Sequence, residues 1–216
     1  MRRFIMRRLT VYFIIFGSLL SFALIFIEKA GFRNAISGLI IPQQTALESA
    51  EPIRWSRSGY DIVIQPKYAY TLEGLVTHTK DYDGDTPPNN ISPKDIAVAW
   101  GKVAEYNKKI DFKWSQNNRF AYNEISNSDA DKYLGGASHA GAQFSNNHLI
   151  PANSDVAKEV DMIRSGDHII IEGYLVNTTF YREGKVYSRW NSSTTRYDSG
   201  DHACEIIYVT NVKWVV

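Results

Sequence analysis

The residues whose types and spacing are best suited to catalysis are Cys204 and His202, which stand two positions apart. On a strand, side chains two positions apart point to the same face, so the thiol and the imidazole would lie together. A histidine beside a cysteine can remove the thiol proton and produce a thiolate nucleophile. Ser192 and His148 complete the candidate catalytic residues for hydrolase or transferase chemistry. The opposing interpretation is that Cys204 is a small buried residue of a strand.

The densest polar stretch runs from Arg189 to Glu205 and reads RWNSSTTRYDSGDHACE. Arg196 and Asp198 carry opposite charges and share a face if the chain is extended. Trp190 offers a wall on which a small polar molecule could stack. The stretch therefore predicts a ligand site formed by Trp190, Arg196, Asp198 and Glu205. A hairpin turn that satisfies its own hydrogen bonds is the alternative.

The sequence does not predict a metal site. The five histidines are His78, His139, His148, His168 and His202. No two of them stand four positions apart, the spacing that places two ligands on one helix face. The stretch 81–85 (DYDGD) resembles the start of a calcium loop, but Thr86 and Ser92 stand where an EF-hand requires glycine and glutamate. We therefore expect no metal and no cofactor.

Most of the elements that must position these side chains are predicted to be strands. Segments rich in β-branched and aromatic residues lie at 62–64, 68–76, 110–114, 119–124, 168–176, 185–191, 203–209 and 212–216. Because helices do not alternate regularly with them, a parallel α/β sheet is not expected. The predicted fold is α+β, mainly β: an antiparallel sheet or a small OB-like barrel with two short helices. The barrel rests on the stretch 164–173 and is a fold-level analogy.

Helix signals are few. Ser92 as N-cap and Pro93 as the first helical residue predict a helix, with apolar residues at helical spacing from 96 to 104. Asn153 or Ser154 is predicted to begin a second, short helix. The polar stretch 126–147 is predicted to be a long loop, which in a compact domain is mobile or functional.

A hydrophobic segment near the N-terminus predicts a membrane anchor. Residues 9–27 are a run of 19 uncharged residues, and a helix of that length spans roughly 28 Å, close to the hydrocarbon thickness of a bilayer. Arginines at positions 2, 3, 7 and 8 precede the run and favour a cytoplasmic N-terminus. The run ends in bulky residues without a small-x-small cleavage site, so an uncleaved anchor is favoured over a signal peptide.

The predicted organisation follows from this anchor. Residues 1–8 are a cytoplasmic basic tail, 9–27 a transmembrane helix, 28–58 a stalk and 59–216 an extracytoplasmic globular domain. The apolar part of the stalk, 35–41, is too short to span a bilayer and is expected to lie at the membrane interface, with packing on the domain as the alternative. The single cysteine allows no intrachain disulfide, so the domain must be stabilised by its core.

The charge distribution excludes one class of partner. The chain has 24 basic and 23 acidic residues, and four of the basic ones precede the hydrophobic segment. The remainder therefore has 20 basic against 23 acidic residues, a formal charge of −3. A mildly acidic outer domain lacks the basic stripe that binding to duplex nucleic acid requires.

Four stretches carry a resemblance to known proteins. They are 91–101 (ISPKDIAVAWG), 138–139 with 147–153, 166–167 with 172–176, and 190–200 with 203–205. Together they cover most of the chain from Tyr60 to Val209. These stretches resemble a group of uncharacterised bacterial single-span inner-membrane proteins with a periplasmic β-rich domain. The resemblance implies a bacterial inner membrane with the C-terminal domain in the periplasm, and it implies no activity.

The sequence thus predicts a non-enzymatic, membrane-anchored envelope protein. Its outer domain is expected to bind a protein partner or a small polar ligand, and nucleic acid is not expected as a partner. The alternative is an anchored envelope hydrolase or transferase that uses Cys204 or Ser192 with a histidine, because a catalytic triad can be assembled from residues distant in sequence.

Overall fold

The structure, a computed structural model, describes residues 34–196 and 203–215. The predicted cytoplasmic tail 1–8 and transmembrane helix 9–27 lie outside these residues, as do the candidates Asp198 and His202. Within the described part of the chain, no helix combines the length and apolar content needed to cross a bilayer. The membrane anchor therefore stays a prediction from the sequence.

The described residues are mainly strands. The strands are β1 (Gln43–Ala46), β2 (Ile53–Arg57), β3 (Tyr60–Asp81), β4 (Lys94–Ala99), β5 (Ser115–Asn117), β6 (Phe120–Tyr122), β7 (Phe144–Pro151), β8 (His168–Arg182), β9 (Lys185–Asn191) and β10 (Glu205–Trp214). The helices are α1 (Pro87–Ile91), α2 (Gly101–Tyr106), α3 (Asn127–Asp129) with a π-helical turn at Ala130–Leu134, α4 (Ala137–Gly141) and α5 (Ser154–Met162). The predicted fold class, α+β and mainly β, is confirmed.

Five strands of the main sheet form a closed ring. β3 pairs with β4, β4 with β7, β7 with β10, β10 with β8, and β8 pairs back with β3. All these pairs are antiparallel except β7 with β10, which run parallel, and α5, β8 and β9 provide the long crossover connection that a parallel pair needs. The sheet is therefore mixed, whereas the sequence predicted an antiparallel sheet or a small OB-like barrel. β1 and β2 pair with β3, and β9 pairs with β8, outside the ring.

The larger of two hydrophobic cores lies inside the ring. It takes side chains from all five ring strands, as the interior of a closed sheet must: Leu72, Val98, Leu149, Ile171 and Ile207. Val156 and Val160 of α5 pack against the same core. A smaller core on the outer side of the ring includes Ile64, Ile91, Val176 and Ile206, with Trp55 and Trp190 at its edge.

Several predicted elements are confirmed. The segment 168–176, the clearest strand in the sequence, lies in β8, and the predicted strand 185–191 coincides with β9. Helix α5 begins after Asn153, whose Oδ1 accepts hydrogen bonds from the backbone N–H groups of Asp155 and Val156 at 3.0 Å each. These patterns are local, so the sequence alone was sufficient to identify them.

The helix predicted from Ser92 is wrong over its first half. Residues 94–99 form β4, and α2 begins only at Gly101. All six residues of β4 are buried, because β3 and β7 flank the strand and both of its faces are covered. A strand buried on both faces loses the alternation of apolar and polar residues, so its apolar positions also fit a helical spacing.

The predicted loop 126–147 is also wrong. It contains α3, the π-helical turn, α4 and the first residues of β7. Ser145, Asn146 and Asn147 of β7 are buried although they are polar. Asn147 Nδ2 donates to Ile96 O at 3.2 Å, and Ser145 Oγ donates to Asn147 Oδ1 at 3.1 Å. Polar side chains that satisfy each other can be buried in a strand, so a polar composition did not indicate a loop here.

The predicted stalk differs from the structure from residue 34 onward. β1 and β2 are strands of the main sheet and pair with β3. The apolar segment 35–41 packs on the domain: Ile36 N donates to Ala104 O at 3.1 Å, and Leu39 is buried in the larger core. The domain therefore begins well before residue 59, and packing on the domain replaces the interfacial position that was expected.

Candidate functional site

The polar side chains singled out in the sequence fall on two opposite faces of the ring. Asp95, His148 and Ile206 are register partners across β4, β7 and β10. Glu205 is the neighbour of Ile206 along β10 and pairs with Asn147. Because successive side chains of a strand point to opposite faces, His148 and Glu205 lie on opposite sides of the sheet.

The outer face carries a buried group of Asp95, Arg119, His148 and Trp190, which we call the His148 cluster. Asp95 is fully buried, and its Oδ1 lies 2.6 Å from Arg119 Nη1 and 2.9 Å from His148 Nδ1. At this distance the imidazole of His148 contacts the carboxylate of Asp95, but the alignment is not that of a hydrogen bond. The ring of Trp190 lies against the imidazole, with 4.6 Å between the centroids.

A tight hairpin turn positions Arg119 in the His148 cluster. Asn118 and Arg119 form the turn between β5 and β6, and both have positive φ, 49° and 68°. The guanidinium donates to Asp95 Oδ1, to Ser92 O at 2.9 Å and to Asn89 Oδ1 at 2.6 Å. Its carbon lies 3.9 Å from the centre of the Tyr82 ring. A planar, permanently charged donor is thus held by acceptors on one side and an aromatic face on the other.

The charged and polar groups of the His148 cluster interact with one another, as they do in a network that stabilises a fold. Burial, and secondly the charge of Asp95, raise the pKa of the Tyr82 hydroxyl. That hydroxyl accepts a hydrogen bond from the backbone N–H of Arg119 at 3.0 Å. Asp95 beside His148 resembles the carboxylate that orients a catalytic base. His148 is only 2% exposed, however, and neither described groove is lined by either residue.

Cys204 lies on the same face as His148 and is half-buried. Its Sγ lies 3.5 Å from Asn146 Nδ2, which donates to it, and 3.6 Å from the Arg119 carbonyl oxygen. These contacts hold the thiol beside the hairpin that carries Arg119. Ser192 has a structural environment too: its Oγ donates to Ser193 O at 2.8 Å and accepts from Ile206 N at 3.0 Å.

The inner face carries the second group, Gln44, Tyr70, Arg196 and Glu205, which we call the Glu205 cluster. Arg196 forms an ion pair with Glu205, and its Nη2 lies 3.2 Å from both Gln44 Oε1 and Tyr70 Oη. Glu205 is 1% exposed. Burial, followed by the charge of Glu205, raises the pKa of the Tyr70 hydroxyl far above its ordinary value.

The predicted ligand set is therefore divided between the two faces. Arg196 and Glu205 meet in the Glu205 cluster, but Trp190 packs in the His148 cluster on the other side of the sheet. Asp198 lies outside the described residues. The proximity of these residues in sequence did not predict proximity in space, because β9 pairs with β8 outside the ring while β10 lies within it.

Sequence reasoning missed the larger described concave surface. It is a groove of about 650 Å³ beside β2, which we call the β2 groove. It is lined by Arg54, Trp55, Ser56, Arg57, Asn90, Ile91, Pro93, Pro151, Ala152, Asn153, Ser154 and Ala157. A signal was present in the sequence: the run 53–57 followed by Ser58-Gly59 and an alternating strand indicates a β-hairpin. Because residues 28–58 were predicted to be a stalk, this hairpin was not predicted.

The β2 groove is cationic. Arg54 is exposed, and Arg57 Nη1 donates to the Asn90 carbonyl at 2.6 Å. Among the described residues that line the groove, none is acidic. Trp55 forms part of the wall, and its ring packs on Tyr208 with 5.9 Å between centroids. A second groove of about 450 Å³ shares Arg54, Trp55 and Ser56 and runs over the face of β2 and β3.

Metal-ligating side chains are dispersed in the described part of the chain. No group of three or more histidine, cysteine, aspartate or glutamate side chains is placed there to hold a metal ion. His78 Nδ1 lies 2.9 Å from Gln116 Oε1, and His168 Nε2 lies 2.9 Å from Glu73 Oε1. Asp81, at the start of the calcium-like stretch, forms an ion pair with Lys94 at 3.0 Å.

No protein-family model, curated protein or solved structure matches this chain. The resemblance to single-span bacterial envelope proteins therefore stays a prediction from the sequence. Among the described residues, the β2 groove and the two buried clusters are the features from which a function can be argued.

Proposed function

We propose that this is a membrane-anchored envelope protein whose outer domain binds a protein partner and does not catalyse a reaction. One observation carries the proposal: the groove beside β2 is open and cationic, whereas Asp95 and His148 are buried in mutual contact and Cys204 and Ser192 are half-buried in contacts with neighbouring groups. A binding protein needs an accessible surface with unmatched charge, and a catalyst needs accessible reactive groups.

The membrane setting of the proposal rests on the sequence. Residues 9–27 are long and apolar enough to span a bilayer, and the preceding arginines favour a cytoplasmic N-terminus. The four stretches that resemble single-span bacterial proteins favour a bacterial inner membrane and a periplasmic domain. Recognition would then take place outside the cytoplasm.

We also propose that the ring is a small barrel of the OB kind. Taken around the ring, the strands follow the order first, second, third, fifth, fourth in the chain, with one parallel pair between the third and the fifth. A helix, α5, lies between the third and fourth ring strands. This topology supports a five-stranded OB-like barrel. Such barrels serve many functions, so the topology assigns none.

A small polar ligand is a weaker candidate than a protein partner. Arg196 and Glu205, the charged members of the predicted ligand set that the structure describes, form an ion pair with each other. A ligand at that place would have to replace a buried ion pair, which is costly unless both charges find new partners.

The enzymatic alternative draws its support from the outer face. Cys204 shares that face with His148, and His148 contacts Asp95, so thiol, imidazole and carboxylate occur together. Against this, Arg119 already neutralises Asp95, and Trp190 lies against the imidazole. These contacts instead attach the β5–β6 hairpin and β9 to the ring, which is a structural role.

Site-specific photo-crosslinking of the full chain in its own membranes tests the proposed function. A photoreactive residue replaces Ser56 in the β2 groove or, as the control, Lys185 on the exposed strand β9. We expect position 56 to capture a discrete partner that position 185 does not capture, and an excess of unlabelled full chain to compete for it. Equal capture at both positions, or none at either, would contradict partner binding at this groove.

The same experiment separates the two functions. Cys204→Ala is expected to leave the captured partner unchanged, because Cys204 lies outside the groove. If the partner were instead a substrate held through the thiol, Cys204→Ala would abolish its capture. That result would favour the hydrolase or transferase.

A further inference from the structure

The edge of β2 that faces the groove carries unpaired backbone groups. β2 and β3 form a hairpin through Ser58 and Gly59, both with positive φ, and Arg57 is the register partner of Tyr60. In such a two-residue hairpin the flanking pair exchanges both hydrogen bonds, and the pairs then alternate along the strands. The N–H and C=O groups of Ile53, Trp55 and Arg57 therefore point to β3, and those of Arg54 and Ser56 point away from it.

Among the described residues, no backbone group forms hydrogen bonds with this edge of β2. Among the described strands, β2 pairs only with β3. No described backbone hydrogen bond outside the ladders involves Arg54 or Ser56. Unpaired strand edges are templates for a further strand, and folded proteins usually cover or pair them. The Arg54–Ser56 edge is instead left facing a groove.

The groove is walled on the side opposite β2. One wall is the end of α1, with Asn90, Ile91 and Pro93, and the other is the junction of β7 and α5, from Pro151 to Ser154. Its volume of about 650 Å³ lies within the range of specific ligand sites. A segment of chain lying along β2 would therefore contact side chains on both flanks as well as the strand edge.

The positive charge of the β2 groove favours an acidic binding partner. Arg54 and Arg57 stand three positions apart on one strand, so their side chains leave on opposite faces of it. The described lining contains no acidic residue, although the chain after the hydrophobic segment has a formal charge of −3. A cationic groove in an acidic domain is complementary to a segment that carries carboxylates.

We propose that the β2 groove binds an extended acidic peptide segment of a partner protein, which adds as a strand to the open edge of β2. Main-chain hydrogen bonds to Arg54 and Ser56 provide the affinity, and two carboxylates three residues apart reach Arg54 and Arg57. The inference rests on the proposed function and specifies the partner's chemistry.

The N-terminus of α5 is not part of this recognition. Asn153 Oδ1 already accepts from Asp155 N and Val156 N, so the first turn of the helix is capped by the protein itself. The anionic groups of the peptide are therefore expected to be bound by the two arginines. An anion that bound at the helix terminus would have to displace the cap.

A peptide titration tests the inference. The probe is the fluorescently labelled peptide Val-Glu-Val-Thr-Glu-Val with blocked ends, added to the full chain in detergent micelles and followed by anisotropy. One control peptide has lysine in place of both glutamates. A second keeps the glutamates but is N-methylated at alternate residues, so that it retains charge and cannot form the ladder. We expect binding of the acidic peptide and at least about tenfold weaker binding of each control.

Variants of the protein test the same contacts from the other side. Arg54→Glu and Arg57→Glu should each weaken the acidic peptide by about tenfold or more, whereas Arg189→Glu on the exposed strand β9 should leave it unchanged. Ser56→Pro removes the outward N–H and should weaken binding by about two- to tenfold. Ser56→Ala, which removes only the hydroxyl, should not. Circular dichroism of each variant confirms that it is folded.

Two results would overturn the inference. Equal binding of the N-methylated and unmodified acidic peptides would mean that the groove binds anions without strand addition. Absence of acidic-peptide binding up to about 1 mM would mean that the edge does not accept a strand of this chemistry. Partner capture at position 56 with no peptide binding would leave the proposed function intact. Failure of both experiments would contradict the function as well.

Discussion

Replacement of Arg119 by methionine should destabilise the domain far more than replacement of any exposed arginine. The side chain of Arg119 is 17% exposed and that of Asp95 is fully buried, so solvent screens this ion pair poorly. Methionine retains the unbranched shape of the side chain but removes the charge and the donors. Asp95 would then be a buried carboxylate without its cationic partner, beside the imidazole of His148 and the hydroxyl of Tyr82.

The magnitude follows from the loss of one partner of a buried pair. Removing one charge and leaving the other unpaired typically costs about 3–5 kcal/mol. Ser92 O and Asn89 Oδ1 would also lose their donor, and the Tyr82 ring would lose the cation above it. For a domain of this size, a loss of 3–5 kcal/mol corresponds to a decrease of roughly 6–20 °C in Tm.

Thermal unfolding of the full chain in detergent, followed by circular dichroism, measures this loss. Arg189→Met on β9 is the matched control and should change the free energy of unfolding by less than about 0.5 kcal/mol. In an Asp95→Asn background, Arg119→Met should cost much less, because no carboxylate is left uncompensated. Equal costs of Arg119→Met in both backgrounds would refute the view that the pair neutralises a buried charge.

Three further predictions concern other parts of the domain. Because burial raises the pKa of Tyr70 in the folded state, the stability that its protonated hydroxyl contributes is complete below the unfolded pKa near 10.0 and is lost at higher pH. Alkaline unfolding should therefore be shallower in Tyr70→Phe, and an unchanged profile would contradict this. Gly173→Ala would place a Cβ 2.1 Å from the Tyr208 carbonyl oxygen and should cost about 1–3 kcal/mol in urea unfolding, whereas Gly141→Ala, with no atom within 4 Å, should be neutral or stabilising. Asn153→Ala should cost about 1 kcal/mol through loss of the α5 cap, and Asn153→Ser should restore most of it.

The elements that the sequence predicted correctly have signals contained in a few adjacent residues. Strand β9 and helix α5 are of this kind, because turn residues, alternation and a capping side chain define them. β4 and β7 were missed because their surroundings determine their structure. β4 is covered on both faces, and β7 buries asparagines whose partners lie on other strands.

The candidate site could not be predicted from the sequence for the same reason. Asp95, Arg119 and His148 are brought together by a hairpin turn and by register across β4 and β7, and neither is visible in one sequence. Conversely, Trp190 and Arg196 are six positions apart and yet lie on opposite faces. The hairpin of β2 did have a local signal in 53–60, which the stalk assignment obscured.

Hydrogen exchange of the full chain tests the central claim most directly. Within the segment 53–57, the N–H groups of Arg54 and Ser56 have no described partner and should exchange rapidly in the free protein, whereas those of Ile53, Trp55 and Arg57 point to β3 and should exchange more slowly. Addition of the acidic peptide should slow exchange in that segment, and the N-methylated peptide should not. Protection that appears instead around 190–205, with 53–57 unchanged, would contradict strand addition at β2 and place recognition elsewhere on the domain.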